Sequence, residues 1–280
     1  MSGRRGGWTA GRVLVHVFLV FFTIATVYPI LQIITISLRP SDQLYSTSLA
    51  LVPPGATVRA YHTMLFQKPF LLWMRNSFIV SMAVTVLGVT LASTAAYAFS
   101  RFRFRGRQSG LYLFLMTQMF PATMLMLPLY VLLKAFHLLD TFAGLVVAYT
   151  ATALPFCVWT MRGYYDTIPV ELEQAAMVDG CAPWEAFVRI TLPLASPALA
   201  VTALFSFMAA WSEFLVARIV ISQQKLYTLP LGLESLAGQF QTEWANYAAG
   251  SLMVCVPVMV LFMVLNRYVV GGLSLGGVKG

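Results

Sequence analysis

Long apolar runs, broken by short polar stretches, set the pattern of this chain. Six of them, at 13–37, 77–99, 111–133, 142–161, 194–217 and 247–270, reach the roughly 20 residues that a helix needs to cross a hydrocarbon core of about 30 Å. The first follows Arg4 and Arg5 in the manner of a secretory leader. It is longer than a leader's apolar region and no small-residue cleavage site follows it, so it is expected to be a retained helix. Between the runs, residues 38–70 form a polar loop punctuated by Pro53, Pro54 and Gly55. Residues 134–141 form a short link whose Asp140 and Thr141 suit the start of the next helix, and residues 221–246 form a second long loop.

Composition supports the same pattern. Hydrophobic residues make up 59% of the 280-residue chain and charged residues 10%, against about a quarter charged in soluble domains. A soluble fold, a disordered chain and a disulfide scaffold are all excluded, the last because Cys157, Cys181 and Cys255 lie far apart in mostly apolar segments. The net charge of +8 belongs to the membrane rather than to nucleic acid, since Lys and Arg in short loops set orientation. With both termini inside, eleven basic residues fall on inner segments and seven on outer ones. The cluster RFRFRGR at 101–107 gives the sharpest signal. The expected fold is an all-α integral membrane protein of six transmembrane helices, in the cytoplasmic membrane, with both termini cytoplasmic. Residues 1–70 would hold the N-terminal segment, first helix and outer loop, and residues 71–280 a core of the remaining five helices.

One inner segment, 162–193, differs from the other links. Asp166, Glu171, Glu173, Asp179 and Glu185 within it are five of the ten acids in the chain. Pro169 followed by Glu171 and Glu173 suits a helix first turn. Leu172, Ala175, Ala176 and Asp179 then share one stripe, and Gly180 is a natural breaker. Pro183 opens a second short helix, expected to run over 184–190 and to be ended by Pro193. Two short helices with paired alanines on one stripe make a compact knob that another surface can approach closely. Trp184 and Phe187 would serve as apolar anchors. Spacing alone leaves open a solvated hairpin.

Gln174-Ala175-Ala176, then Asp179-Gly180, then Ile190-Thr-Leu-Pro193 after a further nine residues, resembles the EAA loop of ATP-binding-cassette importer permeases. MRNSFIVS, MFPATMLMLPLY, LPFCVWTMRGYY, YTLPLGLES and the ending GGLSLGGVKG resemble sugar-importer permeases, most of all the smaller permease subunit of maltose-type systems. The resemblance implies that the loop docks on a cytoplasmic ATPase dimer. Glu171, Glu173, Gln174, Ala175, Ala176, Asp179, Gly180, Phe187 and Pro193 would then be the ATPase-coupling residues. It also implies a second permease subunit, an external sugar-binding protein and a sugar substrate, maltose/maltodextrin or a related oligosaccharide, with ATP and Mg bound in the partner ATPase. The family's leading glutamate aligns with Gln174, so a charge-assisted contact there becomes a neutral one.

No catalytic residue is expected in this chain. It has no GxxxxGK[ST] phosphate loop, no GxSxG elbow and no His or Cys cluster for a metal, since His16, His62 and His137 are scattered. Glu213, the one acid inside an apolar run, is a candidate for the substrate path or for a plain interfacial contact. Pro121, Pro128 and Pro155 interrupt their runs, either as bends beside a pathway or as simple kinks. Met116, Met119, Met124 and Met126 are expected mainly as core filler. Tyr227, Gln239, Gln241, Glu243, Trp244 and Asn246 suit either contact with a binding protein or a solvated loop. Two rival readings are a secondary transporter working without an ATPase, for which intramembrane ionisable residues are scarce, and a non-transporting scaffold. In every reading lipid is a partner and nucleic acid is not.

Overall fold

The computed structural model describes residues 10–40, 50, 52–238 and 242–276, with side chains from residue 11 to residue 266. Among the described residues the regular structure is helical, apart from an isolated bridge between Ala237 and Thr242. Four helices are long and apolar enough to cross a membrane: Gly11–Ser37, Phe70–Arg101, Phe142–Tyr165 and Trp244–Asn266. Two further apolar stretches are bent pairs, Arg107–Thr117 with Ala122–Ala135 at 102° and Pro183–Leu194 with Ser196–Trp211 at 78°. The count is therefore four, or six if each bent pair makes one span. The run at 111–133, expected as one helix, is broken. Its break falls at Pro121, which lacks a donor N–H and holds extended backbone (φ −56°, ψ 129°) just before the second helix.

The helices are α1 (Ala10–Ser37), α2 (Arg59–Phe66), α3 (Phe70–Arg101), α4 (Arg107–Thr117), α5 (Ala122–Ala135), α6 (Phe142–Tyr165), α7 (Val170–Val178), α8 (Pro183–Leu194), α9 (Ser196–Trp211), α10 (Leu215–Val220), α11 (Leu229–Glu234) and α12 (Trp244–Gly276). They fall into two compact units, Met1–Pro69 with Ser235–Met253, and Phe70–Glu234 with Val254–Gly280.

In the first unit α1 exposes its apolar side chains along most of its length. Its end is fixed by Ser37 Oγ and the Tyr61 hydroxyl at 2.8 Å and by Thr57 N–H donating to Leu38 O at 2.9 Å.

In the second unit α3 packs along α6, and α9 packs against both. Two buried clusters divide this bundle. One holds Val80, Val84, Leu145, Tyr149, Ala210 and Val220, and the other Ala92, Ala96, Val158, Met161, Tyr165 and Phe187. Between them the helices touch through small polar groups: Cys157 Sγ lies 3.3 Å from Ser206 Oγ, and a Cβ added at Gly88 would meet that same oxygen at 3.3 Å. At the first cluster's end, Asn76 Nδ2 donates to Lys225 O and Tyr227 O, both at 3.0 Å. Ser77 Oγ accepts from Leu229 N at 2.7 Å. These bonds fix the start of α3 to the segment that leads into α11.

At the same end Thr141 caps α6, its Oγ1 accepting from Gly144 N at 3.0 Å. Asp140 does something other than capping. Its carboxylate accepts from Ser222 N at 2.7 Å, Ser222 Oγ at 2.6 Å and Gln223 N at 3.1 Å, clamping the link before α6 to the chain after α10. These bonds, from the Ser222 hydroxyl first, hold the Asp140 carboxyl below its ordinary value of 3.8.

Candidate functional site

The 166–193 segment forms a knob at the other end of the second unit. Pro169 precedes α7 with extended backbone, and Glu171 and Glu173 occupy its first turn. Gly180 takes φ +96°, a left-handed value that a side chain would strain, and so turns the chain out of α7. Pro183 opens α8, where Glu185 Oε2 accepts from Ala182 N at 3.0 Å. The helix does not stop where the sequence predicts. It widens into a π turn over Phe187–Thr191, with Leu192 N–H reaching back to Phe187 O. Pro193 lies inside the continuation, and the chain bends only at Ala195. A widened turn of this kind shifts the hydrogen-bond ladder by one residue, so a proline without a donor is accommodated.

The predicted coupling residues separate into two sets. Glu171, Gln174, Ala175, Asp179, Gly180 and Pro193 are exposed and Ala176 is half-buried. Leu172, Met177, Val178 and Trp184 are exposed as well, so the surface of the knob is rich in apolar and small side chains. Val178 is 87% exposed and Trp184 63%, values that leave both free to contact another surface.

Phe187 and Glu173 are buried instead. Phe187, expected as an exposed anchor, is buried, its ring 4.4 Å from Tyr97 and 5.2 Å from Trp184. A large apolar ring gains more from the protein interior than from water, and the π turn directs it there. Glu173 is also buried. Its Oε1 accepts from Arg101 Nε and from Thr191 Oγ1, both at 2.8 Å, and its Oε2 accepts from the Tyr97 hydroxyl at 2.8 Å. Arg101 also donates to Ile168 O at 3.0 Å and to Ser100 Oγ at 3.1 Å. Ser100 Oγ in turn donates to Asp166 Oδ1 at 2.6 Å.

Sequence reasoning uses Arg101 only as an orientation signal and assigns nothing to Tyr97, Ser100 or Thr191. One sign was available: Glu173 lies off the Leu172–Ala175–Ala176–Asp179 stripe, so a helix presenting that stripe must turn Glu173 elsewhere.

The remaining candidates lie apart from the knob. Glu213 is in the break between α9 and α10 and caps α10: its carboxylate accepts from Val216 N at 3.0 and 3.1 Å and from Ala217 N at 3.2 Å. The elbow between α4 and α5 borders a cavity of about 660 Å³ whose lining includes Gln118, Met126, Pro128 and Thr152. Its wall is mostly apolar, with Gln118 Nε2 donating to Thr152 O at 3.0 Å. Met116, Met119 and Met124 are exposed instead of filling a core.

In the long loop after α10, Glu243 bonds Lys68 Nζ and Asn246 Nδ2, each at 2.6 Å. Partial burial raises its carboxyl, but these two partners outweigh that and hold it below its ordinary value. Gln239 and Gln241 lie outside the described residues. Among the described residues no group of His, Cys, Asp or Glu is arranged to hold a metal ion.

Residues 85–273 match the family described as the binding-protein-dependent transport system inner membrane component. The chain belongs to this permease family. The permease is 35% identical over 287 residues to the maltose/maltodextrin transport system permease protein MalG of Escherichia coli (strain K12), covering 95% of each chain. It is 32% identical over 270 residues to the diacetylchitobiose uptake system permease protein DasC of Streptomyces coelicolor (strain ATCC BAA-471 / A3(2) / M145), covering 96% of this chain and 98% of that one. Its fold matches a chain in the crystal structure of a bacterial ABC transporter involved in the import of the acidic polysaccharide alginate. The TM-score is 0.81 at 22% identity, over 93% of the permease and 98% of that chain. The permease is thus a membrane component of an ABC importer, and the knob lies within the family match.

Proposed function

We propose that the permease forms one half of a transmembrane path for an oligosaccharide of the maltodextrin kind, alongside a second permease subunit in the bacterial cytoplasmic membrane. An external sugar-binding protein delivers the substrate, and a cytoplasmic ATPase dimer, which holds the ATP and Mg, drives the cycle. The supporting observation is the knob's exposed face of Leu172, Gln174, Ala175, Val178 and Trp184. Lipid has no use for a small, sharply built helical corner outside the spans, whereas a protein groove does. The cluster RFRFRGR at 101–107 runs from the last residue of α3 to the first of α4, and its first member, Arg101, holds the knob. By the positive-inside rule this cluster supports a cytoplasmic side for the knob and, with six spans, for both termini.

In this reading, closure of the ATPase dimer pulls the knob inward and turns the cavity between the two permeases outward, and hydrolysis resets it. Gln174, exposed on the docking face, offers a neutral amide. Its contact with the ATPase is a plain hydrogen bond where a glutamate would add charge. Relatives of similar identity are named for maltodextrin-type and chitobiose-type sugars, which supports the disaccharide-to-oligosaccharide class.

Purification from the native host in mild detergent, with mass spectrometry of everything recovered, tests the proposal. Recovery of an ATPase, a second permease and a sugar-loaded binding protein is the expected outcome. Recovery of the permease alone, under conditions that preserve other complexes, would return the chain to the class of self-contained transporters.

A further inference from the structure

The chain joins the knob directly only to α6 and α9. Every other helix can follow the knob only through lateral contacts. Apolar contacts between helices tolerate sliding, whereas a charged group with several directed bonds fixes an orientation. The Glu173 site is built in the second way. Its carboxylate and the Arg101 guanidinium lie 2.8 Å apart, with their side chains 5% and 7% exposed. Tyr97 and Arg101 come from the last turns of α3, Thr191 from the π turn of α8, and Ile168 and Asp166 from the entry to α7. One end of α3 thus holds the entry to α7 and Glu173 of α7 directly, and the π turn through the Thr191 bond to that same carboxylate. An apolar plug of the same volume stabilises a fold as well as or better than a buried ion pair. The added property of this arrangement is fixed geometry.

We infer that Glu173 and Arg101 are positioning residues that make α3 move with the knob, so that the drive from the ATPase enters the bundle through a helix to which the knob is not covalently joined. This rests on the reading of the knob as the ATPase-docking element. Holding Glu173 inward also sets the docking face, because Leu172 and Gln174 then project about 100° to either side of it.

The test uses the complete complex, reconstituted in proteoliposomes with the native binding protein carrying the sugar it retains on purification. ATP hydrolysis is measured with and without that protein and normalised to assembled complex. Glu173→Gln keeps the side-chain shape and removes the charge. It should retain the ATPase at wild-type stoichiometry yet lose about tenfold in stimulation by the binding protein. Tyr97→Phe removes one donor, leaves the ion pair in place, and should show a smaller loss in the same ratio. Arg101→Lys should recover part of what Arg101→Met loses. If Glu173→Gln does not assemble, Tyr97→Phe and Arg101→Lys carry the test.

Variants with reduced yield or thermal stability but wild-type stimulation per assembled complex would overturn the inference and leave the docking reading standing. A wild-type complex that recovers no ATPase, or shows no stimulation, would overturn the docking reading and the inference with it.

Discussion

Two carboxylates tie loops to helices at opposite ends of the second unit, and they do so differently. Glu173 is buried and takes a guanidinium and two hydroxyls from distant parts of the chain. Asp140 is only half-buried and takes two backbone N–H groups and one hydroxyl from the segment after α10. At the first site water cannot replace a lost partner, so each member depends on all the others. At the second, solvent is adjacent and any loss is partly made good. Carboxylate tethers of similar bond length thus give one joint that must stay intact and one that can yield.

The comparison breaks most readily at Arg101. Arg101→Met should leave the Glu173 charge buried without a counter-ion and destabilise the knob end by about 3–5 kcal/mol. Limited proteolysis within 166–193 would read this as rapid cleavage. Phe187→Ala should cost a comparable or slightly smaller amount, about 3 kcal/mol, by opening a cavity beneath the π turn. Thermal unfolding in detergent measures it, and a shift no larger than that of an exposed site such as Val178→Ala would contradict the burial. At the other end Gly144→Ala should cost about 1–3 kcal/mol, because a Cβ there collides with the Leu138 carbonyl, a backbone atom.

Asp140→Ala should cost only about 1 kcal/mol, since water partly replaces the lost bonds. The pH behaviour sharpens the contrast. The Asp140 carboxyl is held below 3.8, so its contribution is complete above that value and is lost only as pH falls through the lower folded value. Hydrogen exchange at the Ser222 amide should therefore show no loss of this clamp between about pH 5 and 8. The smallest effect is expected for Lys68→Ala. The Lys68–Glu243 pair has side chains 29% and 38% exposed, and such pairs contribute about 0–1 kcal/mol.

Much of this was legible in the sequence because it rests on local rules. The apolar runs marked the long helices, Pro169 and Pro183 marked the starts of α7 and α8, and Gly180 marked the turn between them. The break at Pro121 was harder to see. A proline within an apolar run predicts a kink, but whether it bends or divides the helix depends on what surrounds it. The π turn at Phe187–Thr191 has no sequence period of its own, so no spacing in the sequence marks it. The Glu173–Arg101 pair joins residues 72 positions apart. No spacing rule connects them, and only the placement of α3 beside α7 does. Glu213 stands out in the sequence as an acid in an apolar run, yet its carboxylate meets the first N–H groups of α10, which exist as free donors only because the helix breaks before them.

α3 is also the only one of the four span-length helices with no proline inside it; Pro29, Pro155 and Pro257 interrupt the others. Its 32 residues at about 1.5 Å each make a rod of roughly 48 Å, longer than the hydrocarbon it crosses. One end is fastened to the knob through Arg101 and Tyr97, the other to the chain before α11 through Asn76 and Ser77. A kinked helix absorbs an axial push at its kink, whereas an uninterrupted one delivers it. In engineering terms α3 is the tie-rod of the bundle, and its two fastenings are where slack in the mechanism would first be felt.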